Sequence, residues 1–412
     1  MFGLLFVGLL LVVLCSVWAC SGSLELQWSN TYDDYLGAVM IQTLDGGFLL
    51  AGSNATSSQQ YLQLVKTSSS GEVEWSRSYP EIFWVPTLIR LADSGYLILR
   101  GGVSSSISVD LLKVDFQGNI EWSNQHYVKY NANTNTYVVG LVVVDDGSYV
   151  LVDYQSAYSS TGSGYGSSHF TCYDVEGVLL WHKSISQVYV EVVLPCEGGG
   201  YYVGGSKDKQ TWFAKLDSMG EVVWSRTYGS VSSRSYIPWP CVCSVIETLD
   251  GGFLLSGVDP SSERGFVVKV DGEGLVQWSR RFGGSIYEVV EVREGQYLVF
   301  SVSRIICLGS SGRVLWSESY SKYAVFKTLT VEGGLRSSVS VFVSEGGGLV
   351  VAIPYSVLGY YTSCLWVAGF VVESVSWSLF GLFVWECLFG IVVVLVFVGL
   401  WFLKNRKKVN GC

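Results

Sequence analysis

The chain has 412 residues, of which 49% are apolar, 14% aromatic and only 15% charged. That much apolar side chain excludes a disordered protein, and a formal net charge of −9 argues against a nucleic-acid partner, which needs a basic footprint. Forty-seven glycines against seven prolines suit many short strands joined by tight turns.

Residues 2–14 are almost wholly apolar, and small residues follow around Val17-Trp18-Ala19. This predicts a secretory signal peptide over 1–20, one without a basic leading region. Ala19-Cys20 offers a second reading, lipid attachment at Cys20. Leu24-Glu-Leu-Gln-Trp28-Ser29 then alternates apolar and polar side chains, as a half-buried strand does.

The first complete unit follows. Residues 38–43 read as strand A, Leu44-Asp45-Gly46-Gly47 as a turn and residues 48–52 as strand B. Asp-Gly between strands favours a tight hairpin because the glycine accepts positive φ. Residues 61–66 make strand C, Ser68 to Gly71 a second turn, and Glu72-Val-Glu-Trp75-Ser76 strand D. Asn54-Ala55-Thr56 is a possible glycosylation sequon, expected on the B–C loop.

This unit recurs. Trp75, Trp122, Trp181, Trp224, Trp278 and Trp316 each follow a glycine by four residues: Gly71, Gly118, Gly177, Gly220, Gly274 and Gly312. Asp115, Asp174, Asp217 and Asp271 stand seven before their tryptophans. Nine before stand Lys66, Lys113, Cys172, Lys215, Lys269 and Cys307. A period of about 40 to 60 residues marks a repeat architecture. Aspartate first and glycine fourth is a type I turn signature, which gives these aspartates a structural role rather than a metal or acid–base one.

Residues 38–316 hold six units, and 317–377 must hold a seventh, where the pattern blurs. Segments starting at Phe326 and at Ser340 both resemble strand A with its turn, and Trp377-Ser378 repeats the dipeptide with Glu373 where glycine belongs. Two closures are open: the strand at 24–29 completes the last unit, which is the expected one, or residues 374–378 do. The prediction is an all-β, seven-bladed β-propeller of four-stranded antiparallel blades spanning 24–377. The repeated tryptophans are expected to pack between neighbouring blades.

A second apolar run covers 379–403, with no charge from Cys387 to Leu403, and Lys404-Asn-Arg-Lys-Lys408 follows. This predicts one C-terminal transmembrane helix, with Glu386 near the outer interface. The basic tail, 404–412, then lies in the cytoplasm and the propeller outside the cell. Six cysteines fall in the outside part: Cys172, Cys196, Cys241, Cys243, Cys307 and Cys364. Disulfides are permitted there, but Cys172 and Cys307 occupy the same repeat position three blades apart and should not join.

The units resemble the β-propeller repeats of quinoprotein-like and WD40-like proteins of archaeal and bacterial cell surfaces. The carriers are Thr-Leu-Asp-Gly-Gly-Phe at 43–48 and 248–253, and Lys-x-Asp-x-x-Gly-x-x-x-Trp at 113–122, 215–224 and 269–278. The resemblance spans 24 to about 355 and implies the fold. It implies no activity. The vicinal disulfide of quinoprotein dehydrogenases is missing, since Cys241 and Cys243 are separated by Val242. Aspartate-box spacing of the sialidase type and the Gly-His…Trp-Asp signature are missing too.

No catalytic, cofactor or metal constellation stands out, and no Cys-x-x-Cys pair accompanies the three histidines. The A–B and C–D turns are short, whereas the D–A and B–C loops of the opposite face vary and carry aromatics. Variable loops on a rigid frame are where binding concentrates. The candidate ligand face is Tyr130, Tyr137, Tyr158, Tyr165, Tyr236 and Trp239, around blades three to five. The expected function is a membrane-anchored, non-catalytic surface module that binds or adheres to protein or glycan. A structural envelope component and a hydrolase or lyase working in the channel are the alternatives.

Overall fold

The computed structural model describes residues 24–372 except 34, 57–58, 81–86, 92–93, 102–107, 128–133, 145–146, 158–165, 175–176, 197–198, 209, 230–241, 260–263, 302, 320–339, 344–347 and 357–362. The expected signal peptide, apolar span and basic tail, together with Trp377, lie outside the described residues. Among the described residues no helix is long and apolar enough to cross a membrane.

Twenty-eight strands form seven four-stranded antiparallel sheets. Six are consecutive A–B–C–D meanders: blade 1 (35–80), blade 2 (87–127), blade 3 (134–186), blade 4 (188–228), blade 5 (242–283) and blade 6 (286–319). Blade 7 takes strands A, B and C from Ser340–Val343, Gly348–Ser356 and Ser363–Val372, and its strand D is Leu24–Asp33. The ring is therefore closed by the N-terminal strand, in register from Leu24 opposite Val372 to Asp33 opposite Cys364. The clasp runs four residues beyond the alternating stretch that announced it. Of the two segments resembling strand A of blade 7, the one starting at Ser340 makes it; the other lies outside the described residues.

The C–D turns show why the repeat spacing is fixed. In blade 2 the Gly118 amide donates to the Asp115 carbonyl at 3.0 Å, and Asp115 donates back to Asn119 at 2.9 Å. Gly118 sits at φ +79°, where a side chain is strained, and the ladder slips by one residue just before it. The Asp115 carboxylate accepts the amides of Gln117 and Asn119 at 2.9 and 2.8 Å. Asp217 and Asp271 cap their turns in the same way.

The same glycine leaves room for its neighbour. A Cβ on Gly118 would stand 2.9 Å from the Trp75 ring of blade 1, and one on Gly312 would stand 2.6 Å from Trp278 of blade 5. Trp75, Trp181, Trp224 and Trp278 thus lie beneath the next blade's turn, as expected, and Trp28 of the closing strand does so beneath Gly71. Four residues after the tryptophan a tyrosine adds a hydrogen bond across the same seam. Tyr32 donates to the Gly71 carbonyl at 2.6 Å, Tyr228 to Gly274 at 2.8 Å, and Tyr79 to Gly118. Burial pushes the Tyr32 and Tyr79 hydroxyls up to about 12, so they remain donors.

In blade 5 the two motifs that carry the resemblance meet in one device, and Lys66 of blade 1 makes the same contact. Lys66 of strand C reaches Asp45 of the A–B turn and Glu74 of strand D, both at 2.8 Å, and Lys269 reaches Asp250 at 2.9 Å. Thr43 and the Gly47 amide also donate to Asp45. Burial works to raise the Asp45 carboxyl, but the bonds from Lys66, Thr43 and Gly47 outweigh it and hold it at about 2. A Cβ on Gly252 would stand 2.4 Å from the Lys269 ammonium, so the second glycine of Asp-Gly-Gly is the space in which the lysine head sits.

The core lies in the seams. One cluster joins Val150, Val152 and Phe170 of blade 3 to Val188, Val190 and Trp212 of blade 4. The large apolar side chains left exposed also follow a rule. Two residues before the tryptophan, every blade exposes an aliphatic: Leu26, Val73, Ile120, Leu179, Val222, Val276 and Val314. Leu44, Leu249, Phe116, Met219 and Leu275 join them from the turns. All belong to the A–B and C–D turn side of the ring.

Candidate functional site

Tyr137 is the one residue of the expected ligand face among the described residues. It lies in strand A of blade 3 (Thr134–Val143), opposite Tyr154. Tyr130, Tyr158, Tyr165, Tyr236 and Trp239 fall outside them. The loops are shorter than the sequence suggests, because the flanking strands extend into them. Strand D of blade 2 continues to Tyr127, and the B–C connection of blade 3 shrinks to 158–165. Asn54, expected on a loop, lies in strand B of blade 1 opposite Tyr61. Thr56 pairs with Gln59 there, so the B–C connection is only residues 57–58.

Blade 3 carries a polar cluster that the repeat does not account for. Strand B (Tyr149–Ala157) carries Asp153, 3% exposed, four residues past the aromatic that opens the strand. At that place blades 1, 4 and 5 have Gly52, Gly205 and Gly257. Across the ladder from Asp153 is His169. The His169 ring stacks on His182 of strand D, with centroids 5.5 Å apart and planes at 18°. Thr171 Oγ1 and His182 Nδ1 share a hydrogen bond of 3.0 Å, and Gln155 Nε2 donates to Asp153 at 3.0 Å. Leu151, two residues before Asp153 and on the same sheet face, packs with Leu97, Leu99 and Leu111 of blade 2. The cluster therefore faces the seam between blades 2 and 3.

Burial raises the Asp153 carboxyl to about 6, and the Gln155 hydrogen bond only partly opposes it. Burial and the neighbouring His182 lower His169. Both shifts favour the neutral form over the charged one, and perturbed groups of this kind mark candidate functional positions. Sequence reading passed over them because an acid or histidine inside an alternating strand looks like a solvent-facing residue. The available signal was the aspartate standing where sister blades have glycine.

A second set of carboxylates ties the inner strands together. Strands A of blades 1, 3, 4, 5 and 6 each slip register near their start, at Gly37, Val139, Glu191, Cys243 and Tyr287. Such bulges re-aim side chains. Glu191 of blade 4 accepts the Val242 amide of blade 5 at 2.7 Å, and Ser244 of blade 5 donates to Glu288 of blade 6. Burial pushes Glu288 up to about 7 against the bonds from Ser244 and Val289. These acids act as rivets between blades. Among the described residues no three of His, Cys, Asp and Glu converge to hold a metal.

No family model matches the chain, and no curated protein does. Among solved structures it is similar to a protein of unknown function from Dyadobacter fermentans, at 13% identity over 85% of this chain and 99% of that one, with a TM-score of 0.47. It is also similar to the Dos1 propeller, at 11% identity over 83% and 95% with a TM-score of 0.48. A third is BBS1N, solved in complex with ARL6DN, at 9% identity over 85% and 97% with a TM-score of 0.47.

Proposed function

We propose that the protein is a membrane-anchored, single-pass cell-surface β-propeller that binds or adheres to a protein or glycan and catalyses nothing. The observation that carries this reading is the pairing of Leu24 with Val372. Strand C of blade 7 ends at Val372, on the same side of the ring as the A–B and C–D turns. With 379–403 as the anchoring span, the short turns face the cell and the variable loops face away from it. A signal peptide over 1–20 delivers the propeller to that side. The acidic and amide groups of the repeat are engaged in turns, seams and rivets, which supports binding over catalysis.

The ligand face on this reading is built from the blade 3 to 5 loops with Tyr137, Tyr236 and Trp239. The test is a pulldown of cell-envelope fractions and a glycan array with the intact chain and with Tyr236→Ala/Trp239→Ala. The expected result is at least a tenfold loss of capture with unchanged thermal unfolding. Equal capture by the double variant overturns the assignment of this face.

A further inference from the structure

The ring of exposed aliphatics needs a partner. Every blade presents one at the same repeat position, including the closing strand, whose Leu26 comes from the opposite end of the chain. The large exposed apolar side chains among the described residues all lie on this one side, with Leu44, Leu249 and Phe116 each more than half exposed. Apolar exposure that is organised and confined to one side marks an interaction surface. Nothing in the fold needs it. Strand D is outermost, and its half-buried tryptophan already fills the seam.

The chain itself indicates what covers the ring. Strand C of blade 7 runs out at Val372 on this side. Only residues 373–378 separate it from the apolar run that starts at 379. Six residues reach at most about 22 Å when fully extended. On the anchoring proposed above, on which this inference rests, the turn side cannot stand far from the bilayer. We infer that the rim of aliphatics rests on the surface of the membrane and dips into its interfacial layer, so that the propeller is seated rather than tethered on a free stalk.

The charges of the rim select the lipid. Its aspartates are turned back onto their own amides, as Asp115, Asp217 and Asp271 are, or matched by lysines, as Asp45 and Asp250 are. The basic residues of strand D, Arg77, Lys183, Arg226 and Arg280, stand two past the tryptophan, on the far side of it from the aliphatics, and the whole chain is acidic at −9. An acidic body is repelled by an anionic leaflet. The surface that fits is neutral, phosphatidylcholine-like lipid.

The test uses the full chain reconstituted in phosphatidylcholine vesicles, with a protease site inserted between 373 and 378. Hydroxyl-radical oxidation of Met219, Phe116 and Leu275 is measured on floated vesicles. It is repeated on the propeller released by cleavage, whose closure lies wholly within 24–372. Tyr61, at the loop end of its strand, is the control. The expected result is at least threefold slower oxidation of the three rim residues before cleavage, with Tyr61 unchanged. A chain that floats but whose rim oxidises equally before and after cleavage overturns the seating and leaves the anchor standing. A chain that does not float at all overturns the anchor, and the seating with it. Rim protection that persists after release means that a protein covers the ring, a second copy or another partner, and also overturns the inference. Protection as strong on vesicles carrying anionic lipid overturns the choice of a neutral surface.

Discussion

Blades 3 and 4 are neighbours built on the same plan, and they differ where it matters. In blade 4, Gly205 stands across the ladder from Trp212, which is 2% exposed. In blade 3 the same two positions hold Asp153 and His169. Blade 4 keeps the repeat lysine, Lys215, whose ammonium lies 5.4 Å over the Tyr202 ring, whereas blade 3 has the buried Cys172. The difference teaches how to read polar residues on a repeated scaffold. Those that obey the repeat are spent on turns and seams. Those that break it are buried at a cost the fold does not require, and they are where chemistry or recognition is to be sought.

The contrast can be broken by copying blade 3 into blade 4. A Cβ at Gly205 would stand 2.0 Å from the Tyr189 carbonyl oxygen, so Gly205→Asp adds a backbone clash to a buried carboxylate. The expected loss exceeds about 3 kcal/mol, read from urea denaturation. A variant as stable as the parent would mean that the inner strand of blade 4 can step back to make room.

The converse change sharpens it. The Asp153 carboxyl has a folded pKa of about 6, above its unfolded value near 4. A group shifted in this direction holds its proton more tightly when folded, so it weakens the fold as pH rises from 4 through 6. Asp153→Asn keeps an acceptor for Gln155 and removes the titration. It should match the parent at pH 3 and exceed it by roughly 2–3 kcal/mol at pH 8. Parallel stability profiles for the two proteins would rule out a perturbed Asp153.

The smallest effect concerns the seam clip. Tyr228→Phe deletes the hydroxyl that donates to Gly274, for an expected loss of about 1 kcal/mol in thermal or chemical unfolding. Blade 3 has Ile185 at the equivalent place, four residues past its tryptophan, and packs without that bond. A Tyr228→Phe loss near zero would make the two seams equivalent in energy as well as in position.

Most of the fold was legible because its turns are written in residues with few alternatives. Positive φ at Gly118 and its equivalents, and an aspartate that caps its own turn, leave a spacing that survives around the ring. Blade 7 was harder to read. Its turn lacks the lysine, aspartate and tryptophan in one stretch, since strand D arrives from the other end of the chain. The Lys66–Asp45 staple was also missed, although Thr-Leu-Asp-Gly-Gly-Phe and the lysine occur together in blades 1 and 5. A contact across three strands of one sheet cannot be seen in a linear pattern. The Asp153 cluster stayed hidden for another reason: a residue's burial in a propeller is set by the neighbouring blade, not by its own strand.

The closing strand bears on how the protein is made. Leu24–Asp33 leaves the ribosome before the six meander blades, yet its partner, Ser363–Val372, leaves only after them. Until then a ten-residue strand with an open edge must wait, and such edges invite pairing with another chain. Six blades can assemble during synthesis, but the wheel locks only after translation has passed Val372. A nascent chain whose first and last ring strands are kept close would be the arrangement least exposed to joining with a neighbour instead of with itself.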